Sequence, residues 1–409
     1  MKKKRDIEGN RLYHFELSDK NRTVRWVLIA IFLAIAAVAV IVGMLGALQT
    51  PAGWQTVEGS AIGLNCSDEF VLQYEYGAGD ASPSAESKAL EQLYGDLARN
   101  AWLLFYNEAG SSELKGIYEL NQHINEEISI DAGLYKALER FVASGSRALY
   151  LAPVYAQYDR VFLSENPIIA EDCDPGQNPE QRDYVKALAD FACDAEAIQL
   201  VLHGSNRVTL QVSENYLKFI KDNEIELLVD FGWLRNAFVA DYIADALIEG
   251  GFTNGYIASV DGFTRNLDRR NLSFSLNLFN KGDNGIDLAA VMDYTAPRTL
   301  VFLRSYPMYD LDARRYYSFE GGRTVTAMID PADGMSKTAA DNLVSYSETL
   351  TCAELALKMM PVFVADSFAE DALTALTEQG IHSVYFSSKQ IKYTQSDLKI
   401  TISDKSYTK

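Results

Sequence analysis

The stretch Leu227–Gly262 reads LLVDFGWLRNAFVADYIADALIEGGFTNGYIASVDG, and its pattern decides the fold class. A short apolar run, Leu227–Val229, ends at Asp230 and Gly232. An amphipathic segment follows and stops at Gly250-Gly251. A second apolar run, Tyr256–Val260, ends at Asp261-Gly262. This periodicity predicts strand, turn, helix and strand. The turn stands where the first N–H groups of a helix are free to meet an anion. Plainer roles exist for the same residues. Asp230 and Gly232 can serve only to cap and turn into the helix. Asp241 and Asp245, at i,i+4, read as a solvated helix face rather than a site.

Outward from this stretch, helical spacing predicts helices over Glu86–Leu104, Ala132–Ser144, Asp183–Ala197, Ala353–Val364 and Phe368–Gln379. Apolar runs predict a strand pair within Ala61–Tyr76 and strands at Ile128–Ile130, Ile198–Leu202, Val208–Val212, Ser273–Phe279, Thr299–Leu303, Ser383–Phe386 and Leu398–Ile402. Helices and strands mix without strict alternation, which predicts an α+β fold rather than a doubly wound sheet. No repeat of 20–50 residues is visible.

The N-terminal end has a different character. Residues 1–25 carry eight Lys/Arg against four Asp/Glu, a balance of about +4. Trp26–Leu48 then contains no charge. Its 23 residues, at about 1.5 Å each, reach roughly 34 Å, enough to cross a bilayer core. The run exceeds a signal-peptide core and no clean cleavage site follows, so an uncleaved anchor is expected. The basic flank places the N-terminus in the cytoplasm and the rest of the chain outside. The expected organisation is a basic cytoplasmic tail over 1–25, a transmembrane helix over 26–48, a linker over 49–60 and an extracytoplasmic domain over 61–409. The expected localisation is the cell membrane, single-pass.

The net charge of the chain is −19, which leaves about −23 outside the tail. So acidic a surface repels phosphate backbones, and nucleic acid is excluded as a partner. The four cysteines lie beyond the span and contain no C-x-x-C, which excludes a zinc ribbon or a thioredoxin-like motif. Cys173 and Cys193 flank a polar stretch and either staple it or stay free.

Five further matches, in chain order, resemble the ApbE family of FAD:protein FMN transferases, over roughly residues 54–404. The family's D-L-G-G-I-A-K-G-Y-A-V-D is similar to Asp230–Asp241, and its V-N-L-G-G-D to Ala258–Phe263. Its H-I-I-D-P-R-T-G is similar to Ala327–Gly334, its A-D-A-L-A-T to Ala353–Lys358, and its G-A-F-D-P-T-V-G-P-L to the region Arg147–Tyr155. The resemblance implies a single ApbE-like (T-fold-like) outer domain that binds FAD, holds Mg²⁺ at the pyrophosphate and moves FMN onto a Thr or Ser hydroxyl of a partner. Carried over residue by residue, it implies Asp330 and Glu354 as catalytic residues. It implies Asp230, Gly232, Arg235, Asn236, Gly262 and Lys358 as cofactor-binding residues, with Glu354 also the metal ligand.

The working positions depart from that pattern. Arg235 stands for a small Ala, Asn236 for Lys, Ala237 for Gly, and Asp261 for Gly. Ala327 replaces His, Asp333 replaces Thr, and Lys358 replaces the Thr hydroxyl. Asp330 also has the plainer reading of a turn former. Lys358 and Arg235 either take over the metal's charge at a bound nucleotide or pair internally and plug the pocket; Glu354 and Lys358 are four apart and can face each other. The expectation is a degraded metal and flavin site on a flavin- or partner-binding subunit of a membrane assembly. FAD remains the implied nucleotide, with Mg²⁺ disfavoured by the lost ligands. The alternative is an active transferase that flavinylates exported or membrane redox proteins. Small residues along the span, such as Ala36, Gly43 and Gly46, also permit close packing against a partner helix.

Overall fold

The structure, a computed structural model, describes residue 32 and residues 50–59, 63–108, 110–282, 285–295, 298–387, 389–395, 398–403 and 406–408. The expected tail and, apart from Phe32, the expected span lie outside the described residues. Among the described residues no helix is long and apolar enough to cross a membrane.

The strands are β1 (Gly53–Val57), β2 (Phe70–Tyr76), β3 (Glu127–Ser129), β4 (Ile198–Gly204), β5 (Arg207–Val212), β6 (Gly255–Ser259), β7 (Phe263–Asn266), β8 (Ser273–Gly282), β9 (Gly285–Thr295), β10 (Thr299–Arg304), β11 (Tyr316–Ser318), β12 (Thr324–Thr326), β13 (Asn342–Ser347), β14 (His382–Ser387), β15 (Gln390–Tyr393) and β16 (Lys399–Ile402). The central sheet has eight strands in the order β1-β2-β6-β7-β10-β13-β14-β15. Every neighbouring pair in it is antiparallel. The α+β expectation therefore holds, and the architecture is not doubly wound.

The helices include α1 (Pro83–Phe105), α2 (Ile117–Gln122), α3 (Ala132–Ser144), α4 (Ala152–Phe162), α5 (Pro167–Cys173), α6 (Pro179–Cys193), α7 (Glu214–Asp222), α8 (Arg235–Glu249), α9 (Cys352–Phe363) and α10 (Glu370–Thr377). Alternation in the sheet shows how its two faces are covered. Val301 and Leu303 of β10 join one core with α1, α8 and α9, whereas Leu300 and Phe302 join another with β8, β9 and β16. All six residues of β10 are buried, as are all six of β13. Such strands lose the in-and-out polarity signal because both faces are dry. The start of the fold is earlier than expected: β1 lies inside the predicted linker and pairs with β2 from Gly53↔Tyr76 to Val57↔Leu72.

The opening stretch differs from its prediction in one place. Leu227–Val229 is not a strand, although Leu228 and Val229 are fully buried. The side chain of Asn121 supplies what a ladder would have supplied. Its Oδ1 accepts from the N–H groups of Leu228 (2.8 Å) and Val229 (3.0 Å), and its Nδ2 donates to the Val229 carbonyl (3.0 Å). A buried backbone needs partners, and one amide on α2 provides them. The predicted helix is present as α8 after a single 3-10 turn, Gly232–Leu234.

A small three-stranded sheet, β3-β5-β4, joins the strand before α3 to the hairpin that follows α6. The outer edge of β4 is covered by side chains. The Tyr150 hydroxyl accepts from Leu200 N–H (2.9 Å), the Tyr135 hydroxyl accepts from Gly204 N–H (3.1 Å), and Arg147 donates to the Ile198 carbonyl (2.6 Å). All four cysteines are free, so Cys173 and Cys193 form no staple. The Cys193 thiol instead donates to the Pro331 carbonyl at 2.8 Å.

Candidate functional site

Asp230 commits its carboxylate to the turn. Oδ1 accepts from Gly232 N–H and Oδ2 from the Asn107 side chain, both at 2.5 Å. Gly232 has φ +55°, and a Cβ there would stand 2.4 Å from the Tyr155 ring, so only glycine fits under that ring. Gly262 has φ +106°, with Phe302 O 2.3 Å from where a Cβ would be. Both glycines are therefore fixed by backbone conformation and close packing.

The 3-10 turn presents Arg235 and Asn236 at the start of α8. The Arg235 guanidinium lies over the Tyr106 ring, 3.8 Å from its centroid. Its Nε is buried and unpartnered. Asn236 is 1% exposed, and its Nδ2 donates to Glu69 Oε2 (2.9 Å) and Asp261 Oδ1 (3.2 Å). Arg315 closes the group: its Nη2 donates to Glu69 Oε2 (2.7 Å) and stands 3.5 Å from Asp261. The Tyr106 hydroxyl also donates to Glu69, at 2.8 Å. Burial pushes the Glu69 carboxyl up, but Arg235, Arg315 and the hydrogen bonds outweigh it and hold it below the usual carboxylate range. Sequence reading pointed to Arg235, Asn236 and Asp261; it gave no sign of Glu69 or Arg315.

The remaining predicted residues stand apart from this group. Asp330 builds a turn, accepting from Ala332 N–H (2.9 Å) and from Lys337 Nζ (3.1 Å). Lys337 is shared with Asp333 (2.7 Å) and Asp366 (2.9 Å). Glu354 forms a capping box at the start of α9: its carboxylate accepts from Thr351 N–H at 2.9 Å. Lys358 is exposed and donates to Gln379 (2.9 Å), so the expected Glu354–Lys358 pair does not form. No hydrogen bond or ion pair among the described residues ties either residue to Arg235.

Asp241 is fully buried, which corrects the expectation of a solvated face. Its two oxygens accept from Cys352 and Ala353 N–H, each at 2.9 Å, so α8 caps α9. Burial raises its pKa, against those hydrogen bonds and the guanidiniums of Arg265 and Arg140, at 3.6 and 3.7 Å.

Trp233, Asp261, Phe263, Arg315, Tyr316 and Met328 line a cavity of about 10 Å³ beside Asn236. That is on the order of one water molecule, whereas cofactor pockets run to hundreds of Å³. A larger open cleft of about 310 Å³ lies on the small sheet around Asn125, Glu196, Gln199 and Gln211 and shares none of these residues.

An antiparallel eight-stranded sheet lies between helices on one face and strands β8, β9 and β16 on the other. Solved ApbE structures share this fold. The chain is similar to the flavin transferase ApbE from Vibrio cholerae, at TM-score 0.53 and 16% identity, covering 85% of this chain and 98% of that one. It is similar to the ApbE protein from Thermotoga maritima, at 0.51 and 12%, covering 85% and 97%. It is also similar to apo Pseudomonas stutzeri flavinyl transferase ApbE, at 0.52 and 12%, covering 85% and 96%. No family model matches the sequence, and no curated protein does. The chain has an ApbE-like fold.

The residue expected to hold Mg²⁺ is engaged elsewhere. Mg²⁺ needs an oxygen shell, yet Glu354 is turned onto its own helix cap. No group of three His, Cys, Asp or Glu among the described residues is placed to hold a metal.

Proposed function

We propose that this chain is a membrane-anchored, extracytoplasmic ApbE-fold protein that does not transfer FMN efficiently. It serves instead as a partner-binding subunit of a membrane assembly. The observation that supports this reading is the ion-paired group Glu69–Arg315–Asp261–Asn236, which engages Asn236, a residue the resemblance assigns to the cofactor. The charge-free run over 26–48 and its basic flank support the anchor and its direction. Losing one polar group from a catalytic constellation costs about 10²–10³ in rate, and several positions have changed here.

The test is direct. The full chain, purified in mild detergent, is incubated with FAD, Mg²⁺ and a flavinylation-competent acceptor. The acceptor is expected to stay non-fluorescent on a denaturing gel. A covalently fluorescent acceptor would overturn the reading.

A further inference from the structure

We infer that Glu69 and Asp261 are the chain's own bound anion, occupying an arginine-lined subsite that would otherwise take a polyphosphate. Both carboxylates converge on the same two partners, Arg315 and Asn236. They come from distant parts of the chain: Glu69 from a 3-10 turn before β2, Asp261 from the turn between β6 and β7. An internal ion cluster that exists only for stability satisfies its own polar atoms. This one does not. Arg235 Nε, Trp233 Nε1 and Asn236 Oδ1 are all buried and unpartnered, with Trp233 6% and Asn236 1% exposed. Arg235 itself has its flat face fixed on Tyr106 and makes no ion pair within 4.0 Å among the described residues. Its donors are preorganised for oxygen atoms in a planar fork.

The charge count decides which state wins. Five acids, Glu69, Asp159, Asp230, Asp261 and Asp312, face four bases, Arg235, Arg304, Arg314 and Arg315, so the group is at −1. A polyphosphate is repelled. With Glu69 and Asp261 neutralised, three acids face four bases and the sign reverses to +1. The carboxylates thus act as an intramolecular competitor at high effective concentration.

This inference rests on the reading that the site performs no transfer, and the two failures are told apart. Titration calorimetry with inorganic pyrophosphate is applied to the full chain in detergent, as native protein, E69Q/D261N, and E69Q/D261N/R235A. The native chain is expected to give no heat of binding at about 1 mM. The double variant is expected to bind at least about tenfold more tightly than that limit, from charge-assisted bonds to Arg235 and the freed Arg315. Adding R235A is expected to remove the gain. Should the double variant lose its circular-dichroism signature, D261N alone decides; it keeps the Glu69–Arg315 bridge and is expected to gain about threefold. A native chain that binds pyrophosphate as tightly as the variants overturns the inference, as does a folded variant with no gain or a gain that R235A leaves intact. Native binding without flavin transfer would sink this inference and leave the proposed function standing; covalent flavin on an acceptor would sink the proposed function and this inference with it.

Discussion

Glu69 sits in a one-turn 3-10 helix, Ser67–Glu69, with no motif around it. Its bridge to Arg315 joins residues 246 positions apart, and that separation hides it from any local pattern. Arg235, Asn236 and Asp261 were legible because each stands where a recognisable motif has another residue type. The carboxylate they address was not. Because the folded state holds Glu69 below its ordinary range, its contribution is present above the unfolded pKa of about 4.3 and is lost as pH falls through the folded value. Glu69→Gln is therefore expected to lower stability at pH 7 by about 1–3 kcal/mol. The gap between variant and native chain should close as pH drops from about 5 toward 3. Urea unfolding at both pH values checks this; a gap of equal size in acid would count against the ion pair.

At the scale of elements, α3 was readable to the residue. Asp131 caps its N-terminus and Gly145, at φ +69°, ends it. The error at Leu227–Val229 has a physical cause: an apolar run of three says "buried" and says nothing of who binds the backbone. Here the partner is a side chain from α2. Asn121→Ala would strand two buried N–H groups, at Leu228 and Val229. The expected loss is about 2–4 kcal/mol by urea unfolding. A loss below about 0.5 kcal/mol would mean that the segment finds other partners. Strand β13, Asn342–Ser347, escaped sequence reading for a related reason. Its polar residues are buried and make hydrogen bonds inside the fold, Ser345 with Ser383 (2.8 Å) and Asn342, through its Nδ2, with Asn280 (2.9 Å). Both of its faces are covered, so no alternation of exposed and buried positions marks it.

For the whole molecule, the order of weak motifs along the chain carried the fold further than any one of them. Each motif is an ordinary turn or cap, but the sheet order they share is specific. The proposed extracytoplasmic placement of this domain is open to a simple probe. Among the four cysteines only Cys193 is exposed; Cys66 (2%), Cys173 (6%) and Cys352 (0%) are buried. A membrane-impermeant maleimide is expected to label the native chain in intact cells, and Cys193→Ser to abolish the label. Labelling that needs permeabilised cells would place the domain inside. One feature of the small sheet bears on how many copies a surface can carry. With Tyr135, Tyr150 and Arg147 already seated along β4, three of its edge backbone groups are closed to a neighbouring chain's strand. Edge-to-edge polymerisation of crowded copies along that strand is thereby disfavoured.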